Sequence, residues 1–197
     1  MLKDRRQFFI RQHAALFKLA GAYDILDPGS QQVIGSVKET PPGWAKVLRL
    51  FVNKGFLPTA AEVREAGAAR PAFTLHKSAG LLRHRVTVRD GSGQSLGFFQ
   101  SKAFSWRSRL MLHGADGVQL GELSGDWKGW DFTLRNVQGK EIGKVTKKWS
   151  GIGKELFTTA DSYMVSMADD VPAAGTLATL MLAAGLAVDL ALKEHAG

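Results

Sequence analysis

Four stretches of the chain repeat one pattern of apolar and polar positions. An alternating apolar run leads into a turn of Asp, Asn, Gly or Ser, and the return closes on an apolar residue followed by glycine. The stretches are Tyr23–Gly35, Val86–Gly97, Met111–Gly121 and Phe132–Gly143. Alternation with a period of two predicts half-buried strands, and turns of this composition predict β-hairpins. In the last three, the turn glycine (93, 117, 139) and the strand glycine (97, 121, 143) stand four residues apart. The turn glycine supplies a left-handed backbone. The glycine in the returning strand marks a bulge, a bend, or a place where another backbone comes close. No proline occurs between Pro71 and Pro172. The pattern therefore predicts a long antiparallel meander, which must either expose its edges or close.

The pattern changes at the C-terminal end. From Val171 to Val188 there is no charged residue, and Asp189 precedes a further apolar stretch, Leu190–Leu192. With Pro172 ahead of the first turn, Thr176–Lys193 reads as a helix within a hydrophobic segment over 173–193. Its apolar residues lie all round: Leu177, Leu180, Met181, Ala184 and Val188 on one side, Leu182, Leu186 and Leu190 on the other. Such a helix is surrounded either by protein or by lipid. A membrane span needs about 20 apolar residues, and Asp189 inside one would cost roughly 2.5–3.5 kcal/mol. Six small residues (Ala178, Ala183, Ala184, Gly185, Ala187 and Ala191) keep the rod thin. The expectation is a central buried helix, with a transmembrane helix as the alternative. Joined to the meander, it gives a mainly β fold: a closed barrel of eleven or twelve strands whose lumen the helix fills. A β-sandwich with the helix on one face is the alternative.

Composition narrows the function classes. The 197 residues suit a single domain over 1–197, and the 22 glycines exceed the roughly 7% usual in proteins because the hairpins use them. The absence of cysteine removes disulfides, iron–sulfur clusters, cysteine zinc sites and thiol nucleophiles together. Near Met1 only three apolar residues run consecutively (Phe8, Phe9, Ile10), too few for an export signal, so the expected location is cytoplasmic. The net charge of +8 divides as +5 over residues 1–56, +6 over 57–114, +1 over 115–149 and −4 over 150–197. A basic N-terminal half points to anionic partners.

Two segments carry that charge with apolar residues between. In Pro42–Lys54, Trp44, Val47, Leu48 and Phe51 fall at helical spacing, while Lys46, Arg49 and Lys54 point elsewhere, and Phe56 follows. A short basic amphipathic helix with Trp and Phe suits a membrane interface; the same pattern serves to cover a barrel end. Arg83, Arg85 and Arg89 alternate with Val86 and Val88, which puts the arginines on one strand face. Lys102, Arg107 and Arg109, and then Lys144, Lys147 and Lys148, follow on other strands. Such faces meet phosphates of lipid headgroups or nucleic acid, although any exposed strand alternates in the same way. The five histidines (13, 76, 84, 113, 195) lack metal-ligand spacing, and the chain has no nucleophile elbow, Walker loop or Rossmann fingerprint. Asp126 and Asp131 flank Trp127 and Trp130 without forming an acid–base pair, and Trp106, Trp127, Trp130 and Trp149 read as core or rim anchors. The expectation is a non-catalytic protein without cofactor.

The segments Gly125–Phe132 and Lys144–Tyr163, with Phe8–Gln12 and Tyr23–Asp27, carry a family resemblance. The chain resembles the phospholipid scramblase and LURP-one-related proteins of the tubby C-terminal-like superfamily, in their bacterial form, over roughly residues 7–195. The resemblance implies a closed twelve-stranded barrel around a hydrophobic C-terminal helix. It also implies a link to lipid: scramblases are tied to calcium-stimulated lipid movement, and tubby proteins bind phosphoinositides on the barrel wall. The scramblase calcium segment falls on Thr159–Asp170, where only Asp161 and Asp170 match acidic ligand positions. Tyr163–Met167 offers mainly apolar side chains where a hard cation wants six to eight oxygens. A turn at Asp161 leading into a last strand from Tyr163 is the alternative.

The expected function is binding of anionic phospholipid headgroups at a membrane surface, peripheral at the inner face. Lys46, Arg49, Lys54, Arg83, Arg85, Arg89, Lys147 and Lys148 would meet the headgroups, and Trp44, Phe51 and Phe56 the interface. A membrane-anchored scramblase-like protein is the alternative, as is a soluble regulatory module binding protein or, less favoured, nucleic acid.

Overall fold

Twelve antiparallel strands close into a barrel in the protein's structure, a computed structural model that describes residues 2–13, 21–48, 51, 56–79, 84–101, 108–126, 128–147 and 162–192. The strands are β1 (Gln7–Gln12), β2 (Ala22–Leu26), β3 (Val33–Glu39), β4 (Thr59–Glu65), β5 (Phe73–Lys77) and β6 (Arg85–Asp90). They continue as β7 (Ser95–Ser101), β8 (Ser108–Gly114), β9 (Gln119–Asp126), β10 (Asp131–Asn136), β11 (Glu141–Thr146) and β12 (Tyr163–Met167). Each strand pairs with its neighbours in sequence, and β1 pairs with β12 to close the ring, with Phe8 opposite Val165. A short helix, α1 (Gly43–Leu48), lies between β3 and β4, and α2 (Thr176–Leu192) follows β12.

All four predicted hairpins are present, as β2–β3, β6–β7, β8–β9 and β10–β11. The apolar–glycine ending has a specific meaning. In every one of the four, the pairing register shifts at Ile34, Leu96, Leu120 or Ile142, the apolar residue immediately before the strand glycine. The bulge turns the glycine toward the next strand. A Cβ at Gly35, Gly97, Gly121 or Gly143 would lie within 3 Å of the carbonyl of Arg64, His113, Arg135 or Ser166. Bulge and close approach, offered above as alternatives, occur together.

The turns differ in one respect from the sequence reading. Gly93, Gly117 and Gly139 take the left-handed conformation as expected, but in β2–β3 that position belongs to Gln31, at φ 57°, and not to Gly29. Gln31 N–H donates to the Asp27 carbonyl, as Gly93 N–H does to that of Asp90. A side chain in this region is disfavoured by about 1–2 kcal/mol, partly offset in the comparison with glycine by glycine's freer unfolded chain. Gln31→Gly is therefore expected to raise stability by about 0.5–1 kcal/mol, read as a higher denaturation midpoint.

The barrel encloses α2. Every described side chain from Ala178 to Ala191 is buried except Thr179, which is half-buried. Leu180 packs at Gly97, Met181 at Gly143, and Gly185 receives the rings of Tyr163 and the methyls of Val165. The small residues in α2 and the glycines of β7 and β11 together make the lumen wide enough. Among the described residues, no helix is long and apolar enough to cross a membrane.

Antiparallel order gives the barrel two unlike ends. Five tight connections (27–32, 66–72, 91–94, 115–118, 137–140) and the lead into α2 lie at one, the turn end. Six connections (13–21, 40–58, 78–84, 102–107, 127–130, 147–162) join strand ends at the other, the loop end, toward which α2 runs.

Candidate functional site

The loop end is set apart by composition. Its six connections carry eleven Lys and Arg against two Asp and Glu, and all five tryptophans of the chain. The turn-end connections carry two against four and no tryptophan. In the sequence the basic excess thus falls in the segments that join loop-end strand ends rather than in one half of the chain; of their basic residues the structure describes Lys128 and Lys147, and the backbone of Lys46. An antiparallel meander returns to the same end at every second connection, so strand ends far apart in sequence meet there.

α1 belongs to this end. Pro41 and Pro42 lead into it with the restricted φ that suits a helix start. Ala45 is fully buried and Leu57 nearly so, which seats the segment on the barrel. The apolar stripe predicted for it faces outward: Trp44 is 57% exposed, Val47 60%, Leu48 40% and Phe51 81%. Phe56 is half-buried. The backbone of Lys46 lies in α1, whereas Arg49 and Lys54 fall outside the described residues.

Among the described residues, the remaining basic candidates do not share one patch. Arg85 and Arg89 project outward from β6, with Arg85 at the loop end and Arg89 at the turn end. The Arg85 guanidinium sits 3.6 Å from the centre of the Phe98 ring, which stacks on His113 at 4.6 Å. Arg89 donates to the Gly93 carbonyl at 3.2 Å. Lys147 follows β11, five places round the ring from β6, and lies 5.0 Å from the Trp130 ring. Lys144 and Arg109 face Glu141 at 3.3 Å and Glu122 at 3.5 Å. Arg83, Lys148, Lys102 and Arg107 fall outside the described residues.

Trp130 is a rim anchor as read from the sequence. It is buried, stacks on Tyr163 at 5.0 Å and meets Phe132 edge-on at 6.2 Å. Trp106, Trp127 and Trp149 lie outside the described residues. Asp126 accepts from the backbone N–H of Lys128 and Gly129, so its carboxylate shapes the turn. Of the two acidic residues in the calcium-like segment, Asp161 falls outside the described residues. Asp170 pairs with Lys140 at 2.5 Å at the turn end. That bond to the Lys140 ammonium holds its carboxyl below the usual range. Tyr163 opens the last strand.

Beneath the loop end lies a layer that the sequence reading missed. The buried polar side chains among the described residues are Gln12, Thr59, Lys77, His84, Thr146, Ser162 and Asp189, and all belong to this end. Tyr23 donates a hydrogen bond to Asp189, and Gln12 Nε2 donates to the Tyr23 hydroxyl at 3.3 Å. Burial first, and the Asp189 carboxylate next, push the hydroxyls of Tyr23 and Tyr163 well above their ordinary value. Both hydroxyls therefore keep their protons at any physiological pH, and that of Tyr23 donates to Asp189. The one visible trace in sequence was Asp189, a single carboxylate in an apolar helix.

A family model described as Scramblase matches residues 67–194. A phospholipid scramblase family protein of Schizosaccharomyces pombe is 25% identical over 162 residues, covering 64% of this chain and 41% of that protein. Altered inheritance rate of mitochondria protein 25 of Saccharomyces cerevisiae is 33% identical over 66 residues, covering 30% of this chain and 20% of that protein. The chain therefore spans about two fifths and one fifth of the length of these relatives. No solved structure matches.

Proposed function

The chain belongs to the Scramblase family, and from that membership we propose a scramblase-like, lipid-related role: binding of anionic phospholipid at a membrane surface. The observation that carries this reading is the segregation of charge and tryptophan. The six segments that join strand ends at the loop end carry, in the sequence, a net excess of nine positive charges and all five tryptophans, of which Trp44 and Trp130 lie among the described residues. Basic residues near an anionic bilayer contribute about 1 kcal/mol each, and tryptophan favours the interface between water and hydrocarbon. The fold, twelve strands round a hydrophobic helix, is the one expected of tubby-like and LURP-one-related members, and on this reading the chain belongs with them in their bacterial form. The role proposed is non-catalytic and peripheral, at the inner face of the membrane. Burial of α2 within the barrel favours a surface binder over an anchored protein, since its side chains face protein.

The test is flotation with vesicles of phosphatidylcholine alone and of phosphatidylcholine mixed with phosphatidylglycerol. Binding is expected only to the anionic vesicles. It should weaken as salt rises, because exposed charges are screened beyond about 10 Å at 0.1 M. Absence of binding to anionic vesicles at low salt overturns the proposal.

A further inference from the structure

We infer that the protein meets an anionic bilayer end-on, with the outward face of α1 and Phe51 entering the interface. This inference rests on the lipid-binding reading above and adds the surface, the orientation and the form of the ligand.

Seven large apolar side chains among the described residues are exposed. Three are single valines, Val33, Val118 and Val137, at the turn end, of the kind any soluble surface shows. The other four, Trp44, Val47, Leu48 and Phe51, fall within eight consecutive residues at the loop end and include every exposed Trp, Leu and Phe among the described residues. Ala45 on the same short helix is fully buried, so the helix is already seated, and its larger side chains are directed away from the barrel. A cap over the lumen would turn Trp44 and Phe51 inward. Here the reverse holds.

The chemistry of this surface identifies the ligand. The exposed side chains of Trp44, Val47, Leu48 and Phe51 are almost wholly apolar and offer a single donor, the indole N–H of Trp44, to a phosphate. A six-residue helix is also far too short to span a bilayer. Such a face suits shallow burial in the boundary between headgroups and acyl chains. The segments that join strand ends at the loop end carry eleven basic against two acidic residues in the sequence, which complements an anionic surface, and the turn end, with two basic against four acidic residues in its connections, faces away. The partner is therefore the bilayer as a surface and not a soluble headgroup.

The experiment is flotation with the same mixed vesicles for the full chain, Trp44→Ser/Phe51→Ser and Val118→Ser/Val137→Ser. All four positions are exposed, so thermal unfolding should be unchanged. The loop-end variant is expected to bind at least about tenfold more weakly, since burial of one large apolar side chain already exceeds a tenfold change. The turn-end variant should bind as the unaltered chain does, and excess soluble glycerophosphoglycerol should not compete. Equal binding by the loop-end variant, or competition by the soluble headgroup, overturns end-on insertion while leaving lipid binding intact. Absence of binding by the unaltered chain overturns both.

Discussion

A chain that stops at Pro172 is expected to be insoluble, or to lose its cooperative unfolding transition where it remains in solution. The expectation follows from what α2 contributes to the core. Leu180, Met181, Leu182, Leu186, Val188 and Leu190 are each no more than 5% exposed. Burial of a large apolar side chain is worth about 1.5–3 kcal/mol, so these six alone account for roughly 9–18 kcal/mol. That matches or exceeds the 5–15 kcal/mol by which whole domains are stable. The strands cannot compensate by collapsing inward. Twelve of them set a wide ring, and Gly97 and Gly143 present no side chain to the space that Leu180 and Met181 occupy. The lining residues Val86, Phe99 and Val165 would face water or bare lumen. Solubility, with unfolding followed by circular dichroism in denaturant, decides the matter. A soluble truncated chain with a sharp transition would show that the barrel does not depend on its helix.

The parts of this architecture that could be read from sequence are those fixed by neighbours along the chain. A turn glycine and a strand glycine four residues apart report a local hairpin, and the apolar residue before the second glycine proved to be the bulge. An apolar run without a polar face reports a helix buried on all sides, and Asp189 argued for protein around it rather than lipid. Phe8-Phe9-Ile10 is continuous rather than alternating because β1 is covered on both faces, with Phe9 packed against Leu26 and Met164 away from the main core. What sequence hid depends on which strand ends meet. Gln12, Thr59, Lys77 and Thr146 are ordinary polar residues at strand ends until closure buries them at the end of the barrel toward which α2 and Asp189 run. The helical spacing of Trp44, Val47, Leu48 and Phe51 gives the same stripe whether it faces core or surroundings. Counting charge by halves of the chain likewise misses an excess that lies in the segments joining strand ends at one end of the barrel.

Replacement of Tyr23 by Phe is expected to lower stability by about 1.5–3 kcal/mol, the range for a hydrogen bond to a charged group. The variant keeps the ring and its packing but removes the donor to Asp189 and the acceptor of Gln12. Tyr163→Phe provides the contrast. Its hydroxyl is fully buried and has no hydrogen-bond partner among the described residues, so its removal should be neutral or stabilising by up to about 1 kcal/mol. These are the only two tyrosines in the chain, so the ultraviolet absorbance of tyrosinate reports on them alone. In the unfolded chain they lose their protons near pH 10. In the folded protein burial, then Asp189, holds both protons to higher pH. Below about pH 10 both states are protonated and the contribution to stability is constant. Above it the unfolded state binds fewer protons than the folded one, so stability falls as pH rises toward the folded values. The double variant Tyr23→Phe/Tyr163→Phe lacks both groups and should therefore lose less stability than the unaltered chain between about pH 10 and 11. Urea denaturation at the two pH values measures that difference. An equal cost for the two single substitutions, or an unchanged alkaline slope in the double variant, would mean that Asp189 is not held by Tyr23 and that the polar layer under the loop end has been misassigned.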